Sequence, residues 1–401
     1  MSYKTTTIKV ILIINYCFLL GYFVVSCAGP KKLTEPTPVL KKESIPIDPT
    51  KSFDASAMRM YEMASPYPNG LKKKMLTTRL DSLQINLIIQ TKSGNDGFQF
   101  QKDSFQLMRN SVVEMGMMGK LVLALACAEK METYKAKGIN YSSTMITESA
   151  GKNLPGSYND PYAMQGRPSI GHFLARMLTQ NDVEAYDRIL EFVTIKEVNE
   201  FSKSNGWDAT KITSRIGRTL TSAENASMNT INFYDDSNRK IFIQPNTFNG
   251  QSGLSMKYAN TTSLDDMESM ILSVSTSQFR NKELTQRIGE ESLEYLKLLL
   301  FNPQSDLPYN ASAGTYDNGS MLFPNVKLSD QLMLLSLNMI SDKGMNEIVY
   351  YNDLKKGKVF VLSCSILFKI SLKDPRYENE LKEGKQIFEE LGKATLKQLQ
   401  N

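Results

Sequence analysis

Histidine is nearly missing from this 401-residue chain: His172 stands alone, with four cysteines and a single tryptophan. One imidazole excludes a His-rich metal centre. The thiolates left after removal of the leader described below are too few for a four-cysteine or Cys2His2 zinc site. No metal and no cofactor is implied. Charge of one sign is also lacking. The 47 basic and 42 acidic residues are spread along the chain and leave a net of +5, too mild and too mixed for a nucleic-acid binder. What is present is enough for a packed body, with 41% hydrophobic and 22% charged residues. A chain of this length suits one large domain with appendages, or two domains.

One long apolar run occurs, Val10 to Val25, preceded by Lys4 and Lys9 and followed by Ser26 and Cys27. A basic start, a short apolar core and a small residue at the cut describe a secretory signal peptide over residues 1–26. The run is short for a permanent span, which needs about 20 apolar residues. Val24-Val25-Ser26-Cys27 resembles a bacterial lipobox, in which the cysteine is lipidated and cleavage falls just before it. An ordinary signal peptide and an uncleaved anchor are the alternatives. The lipobox reading makes the protein an exported bacterial lipoprotein, held to a membrane of the cell envelope through Cys27. Cleavage removes Lys4 and Lys9 and takes the net charge from +5 to +3. Pro30, Pro36, Pro38, Pro46 and Pro49, with lysines between them, describe a stiff tether, drawn over residues 27–65. Residues 66–401 are expected to form the folded domain, with its first ordered residue between Phe53 and Leu71.

Within that body, Leu83–Lys92 reads as a strand, and Phe98–Leu107 as a second one after the turn Gly94–Gly97. Lys120–Met131 is apolar on nearly every face and reads as a helix buried on all sides. Ile170, Phe173, Leu174, Met177 and Leu178 form one helical stripe, and Tyr186, Ile189, Leu190 and Val193 form another. Asn181 or Asp182 would cap the second helix. Leu264–Ser275 and Lys282–Leu300 also read as helices. Ile348–Tyr351 and Val359–Phe368 read as strands joined around Lys355-Lys356-Gly357, and Arg376–Gln400 as a terminal amphipathic helix. Cys127 and Cys364 read as buried small hydrophobes. The expected architecture is α+β: an antiparallel or mixed sheet built from strands near both ends, packed against a mainly helical middle.

Lys120–Met131 followed by Gly138-Ile139 resembles the central helix of serine β-lactamases and penicillin-binding proteins. The stretch Ser157–Val193 is similar to the segment around that family's second motif, and the nearer match is to lipid-anchored, class A β-lactamase-related serine hydrolases. The resemblance runs from about Leu83 to Leu367. It implies acyl transfer by a serine whose proton passes to a lysine three residues later, on the same face of a helical turn. The aligned tetrad here is Met117-Met118-Gly119-Lys120. A thioether has no proton to surrender. Ser111, six residues ahead of Met117, falls off that face. Lys120 is either a retained cleft residue or a helix-start lysine extending into solvent.

The family's second motif is Ser-Asp-Asn, and Asn181-Asp182-Val183 aligns with it; the aspartate, a structural residue in the family, is kept. The third is Lys-[Thr/Ser]-Gly on a strand edging the cleft. Asp342-Lys343-Gly344 is the best candidate, with Asp342 at the lysine position in an ungapped register. Glu224, near Asn225 and Asn229, lies about where the family carries the glutamate that activates the deacylating water; a solvent-facing loop glutamate is the alternative. His172 lies off the apolar stripe and far from any nucleophile elbow, which argues against a Ser-His-Asp triad. The expectation is a catalytically inactive, lipid-anchored member of this fold that binds cell-wall peptide or a protein partner. An active serine hydrolase with another nucleophile and a purely structural envelope protein are the alternatives.

Overall fold

The structure is a computed structural model. It describes residues 54–67, 70–77, 82–92, 98–106, 112–218, 220–248, 260–275, 282–301, 319–326 and 331–400. The apolar leader, Cys27, the proline-rich stretch before residue 54, Ser111 and the turn Gly94–Gly97 lie outside these residues. No helix among the described residues is long and apolar enough to cross a membrane.

The chain opens with α1 (Ala55–Met63), α2 (Leu71–Thr77), β1 (Leu83–Lys92), β2 (Phe98–Phe105) and β3 (Val112–Glu114). A 3-10 turn, Gly116–Gly119, runs directly into α3 (Lys120–Lys135). β4 (Thr144–Thr147) leads to α4 (Ile170–Gln180), α5 (Val183–Val193), α6 (Ile195–Ser204) and α7 (Ser222–Ala226). Short strands follow: β5 (Ser227–Met228), β6 (Ile231–Tyr234), β7 (Lys240–Gln244), β8 (Thr247–Phe248) and β9 (Thr261–Ser263). The rest is α8 (Leu264–Ser275), α9 (Lys282–Ile288), α10 (Glu290–Phe301), β10 (Leu332–Ser341), β11 (Gly344–Asp353), β12 (Lys358–Leu367) and α11 (Tyr377–Gln400).

One antiparallel sheet of five strands organises the body, in the order β10-β11-β12-β1-β2. The α+β class read from the sequence is the class observed. Strand alternation splits the apolar residues between two cores. Leu83, Ile85, Leu87 and Ile89 of β1 face one core with Phe360, Leu362 and Ile366 of β12 and Ile387, Phe388 and Leu391 of α11. Ile88, Leu337, Ile348 and Val361 face the other, which is filled by α3, α4, α5, α8 and α10. The sheet is therefore the middle layer between a thin helical layer and a deep one. In α4 the whole expected stripe is buried. Each of its large apolar side chains contributes about 1.5–3 kcal/mol of transfer free energy.

Four features depart from the sequence reading. Ala55–Met63, drawn into the tether, is a helix with Asp54 as its cap, and its Ala57 and Met60 are in the core, so packed structure begins before residue 66. Lys282–Leu300 is two helices, broken at Gly289, whose φ of +77° suits a residue without Cβ. β10 is a full ten-residue strand where none was expected. The helical middle also holds a small sheet, β4-β6-β7.

Candidate functional site

The turn Gly116–Gly119 places Met117 half-buried against the larger core and Lys120 at the first position of α3. Lys120 is 5% exposed, so it does not extend into solvent. Its Nζ donates to Leu178 O at 2.9 Å and to Asn181 Oδ1 at 2.7 Å. The start of α3 is the wrong end of a helix dipole for a cation, but the ammonium reaches the last carbonyls of α4, where a cation is favoured. Burial pulls its pKa down to about 8. Among the described residues no carboxylate forms an ion pair with it. Gly119 is closely packed here. A Cβ at that position would sit 3.0 Å from Tyr186 Oη and 3.3 Å from Met115 Cε.

Asn181 does not cap the second helix. It ends the first, in the left-handed region at φ 54°, with its N–H bonded to Arg176 O. Asparagine tolerates that conformation. Asp182 is the N-cap of α5, accepting from Glu184 N at 2.8 Å and Ala185 N at 3.0 Å. Val183 follows, 44% exposed. The second-motif positions thus supply an acceptor for Lys120, a cap, and an apolar side chain at the surface.

A polar relay buttresses this corner. Arg176 binds Asp182 with one nitrogen and Asp160 with another, and His172 Nε2 lies 2.9 Å from Asp160 Oδ2. His172 is only 2% exposed, although it lies off the stripe used to place it. Burial lowers its pKa, which favours the neutral ring. Asp160 also accepts from Tyr162 N at 2.9 Å and so shapes the loop that carries the exposed Tyr158, Tyr162 and Met164. The i, i+4 spacing of His172 and Arg176 on one helix was the available sequence signal for this relay, but it does not identify Asp160 as the partner.

The third-motif candidate is displaced. Asp342 and Lys343 form the two-residue turn between β10 and β11, where Ser341 pairs with Gly344. Lys343 is bound to Glu114 of β3, and the ammonium's pKa is raised chiefly by that hydrogen bond. The strand that touches the tetrad is β10. Its Met339 sulfur would be 2.6 Å from a Cβ on Gly116. The sequence of β10, LMLLSLNMIS, has no charged residue, and the Ser336 hydroxyl is committed to Glu347. Asp342-Lys343-Gly344 thus turn the chain after the strand that edges the tetrad rather than lying along that strand.

Glu224 is the N3 residue of a capping box with Thr221, and it accepts from Asn153 Nδ2 at 2.8 Å. The Thr221 backbone N–H and these side-chain donors hold its carboxyl below the ordinary range. Asn225 anchors Arg215 N and Thr213 O, and Asn229 donates to Leu154 O and Pro155 O at 3.4 Å. Sequence reasoning missed the charged cluster behind this loop. Arg188 Nη1 meets Glu191 Oε2 at 2.7 Å, Arg215 Nη2 lies 3.4 Å from Glu191 Oε1, and Asp187 lies alongside, all four side chains buried. Asp187, Arg188 and Glu191 lie off the expected buried stripe, so the sequence pattern gave no signal for their burial.

A family model for the beta-lactamase enzyme family matches residues 99–303. The chain belongs to that family, within the serine β-lactamase and penicillin-binding protein-like superfamily. A comparison with curated proteins finds no match. Among solved structures it is similar to a beta-lactamase from Sphaerobacter thermophilus, at 12% identity over 86% of this chain and 98% of that one, with a TM-score of 0.48. A class A beta-lactamase from Mycobacterium abscessus gives 9% identity, 86% and 100% coverage, and a TM-score of 0.47. PBP-A in an acyl-enzyme complex with penicillin G gives 13% identity, 85% and 96% coverage, and a TM-score of 0.46.

Proposed function

We propose that this protein is an exported, lipid-anchored cell-envelope member of its family that has lost acyl transfer and acts by binding cell-wall peptide. One observation carries the reading. Where the family places an attacking hydroxyl there is the thioether of Met117, and the lysine three residues on is tied to Asn181 and Leu178 O rather than to a proton donor. A catalytic unit that lacks its nucleophile loses most of its effect. The edge strand β10 offers no cation for a substrate carboxylate, and Glu224 is committed to a cap. Binding is supported by the apolar side chains exposed around the same corner, Tyr158, Tyr162, Met164 and Val183, with Arg176 5.8 Å from the Tyr162 ring. Lipobox-like residues ahead of Cys27 support the anchor.

The reading is tested by incubating the mature protein with a fluorescent penicillin and a chromogenic cephalosporin, then measuring intact mass. The expected result is no adduct and no turnover above buffer. A stoichiometric acyl adduct would overturn the inactive reading in favour of a hydrolase with another nucleophile. Mass spectrometry of the membrane fraction checks the anchor: a diacylated N-terminal Cys27 peptide is expected, and an unmodified one refutes it.

A further inference from the structure

We propose that the segment Thr213–Arg218 is a pH-dependent clasp along one wall of the candidate site, shut when Asp187 is protonated and loosened when Asp187 ionises. The inference rests on the placement of the site, and not on the ligand it takes.

The residue just ahead of the segment adjoins the tetrad. Ile212 Cδ1 is 3.5 Å from where a Cβ on Gly119 would stand. Asn260 ties the two together: its side-chain oxygen accepts from Thr213 N at 2.8 Å and Ser214 N at 3.0 Å, and its carbonyl accepts from Met115 N at 2.8 Å. Two further fastenings do not titrate near neutrality. Asn225 Oδ1 accepts from Arg215 N at 3.0 Å, and the Arg215 guanidinium donates to Ser227 O at 2.9 Å.

Asp187 is the fastening that titrates. It projects from α5, and its Oδ1 accepts from Ile216 N at 3.0 Å and Gly217 N at 3.5 Å. The residue is 3% exposed, and Oδ2 is buried without a hydrogen-bond partner among the described residues. The bare backbone of Gly217 lies against that oxygen; a Cβ there would be 2.8 Å from it. A charged oxygen sealed from water and donors is costly, while a protonated one is much less so. The charged groups acting on it are Arg215 of the segment, which favours the carboxylate, and Glu191 of α5, which opposes it. Arg188 is turned to Glu191 and Pro155 O, and Arg218 to Glu184.

Burial outweighs the donors and raises the Asp187 pKa to about 6 from an ordinary 3.8. Once the segment lifts, water reaches the carboxyl and its pKa returns toward the ordinary value. Protons therefore bind the shut form more tightly, and rising pH favours opening.

Amide hydrogen exchange on the full chain tests this, with rates corrected for intrinsic pH dependence and strand β12 as the reference for global opening. Protection at Arg215, Ile216 and Gly217 is expected to fall on the order of 30-fold between pH 4.5 and 7.5. Asp187→Asn should flatten the profile. Gly217→Ala should leave the segment poorly protected even at pH 4.5, because its methyl group displaces the carboxyl. A flat or rising wild-type profile overturns the proposal, as does an unchanged slope in the asparagine variant or wild-type protection in the alanine variant. None of these readouts depends on acylation, so the clasp and the inactive reading fail separately.

Discussion

Lys120 and Lys343 are the two lysines that stand nearest to the family's cationic positions, and the fold treats them in opposite ways. Lys120 is sealed between two helices, with neutral oxygens as partners and no carboxylate. Lys343 sits on a hairpin turn, mostly in solvent, facing Glu114. The helical corner holds its lysine in a satisfied polar geometry with no hydroxyl at position 117, and the sheet edge β10 carries no cation. A polar group inside a packed core must stay satisfied whatever chemistry is lost, because its partners would otherwise be stranded. A group at a surface turn is under no such constraint.

The largest expected effect tests that contrast directly. Lys120→Ala should cost about 2–4 kcal/mol in chemical denaturation, since it opens a void and strands Leu178 O. A loss below about 0.5 kcal/mol would place Lys120 in the same class as a surface residue.

The second test sets two buried carboxyls that meet the sheet, Glu268 of α8 and Glu347 of β11, against the lysine. Glu268 takes donors from Asn86, Ser363 and Lys102, and Glu347 from Ser320, Ser336 and two backbone amides. Burial raises both pKa values to about 7. Each group binds its proton more tightly folded than unfolded, so stability should fall as pH rises from about 4.5 to 7. The double variant Glu268→Gln, Glu347→Gln should lose most of that slope in thermal melts across the range.

Lys120 should act with the opposite sign at higher pH. Its folded pKa of about 8 lies below the ordinary 10.5, so the unfolded chain binds more protons in that window. Stability from this group should rise across it, and Lys120→Met should remove the rise. The smallest effect is expected at the turn: Lys343→Ala should change stability by no more than about 0.5 kcal/mol, less in high salt.

Period and burial were legible wherever one pattern ran alone. The β-branched and apolar richness of Leu83–Lys92, the all-round apolarity of Lys120–Met131 and the paired stripes on either side of Asn181 each pointed to one element. Leu332–Ser341 escaped because a nearly continuous apolar run fits a buried helix as well as a strand. With that strand unread, the third-motif candidate was sought in the turn that follows it. The break at Gly289 lies where the apolar spacing slips, since Ile288 and Leu293 are five residues apart, but each side of it alone keeps a helical pattern. Asn181 and Asp182 both carry capping side chains, and which of them ends one helix or begins the next depends on a backbone torsion. At the candidate site the residue identities were legible, but the partners were not. Asp160, Arg176 and Asp182 meet only through tertiary folding, and so do Asp187 and Gly217.

Asn181 also bears on what the family's Ser-Asp-Asn motif would need at this corner. A serine placed at position 181 would take on a left-handed backbone that asparagine tolerates better, and would have to reach the same ammonium with a shorter arm. Returning a hydroxyl to position 117 alone leaves that knot tied. Fitting the family's second motif to this corner would therefore take changes in backbone and side chain together.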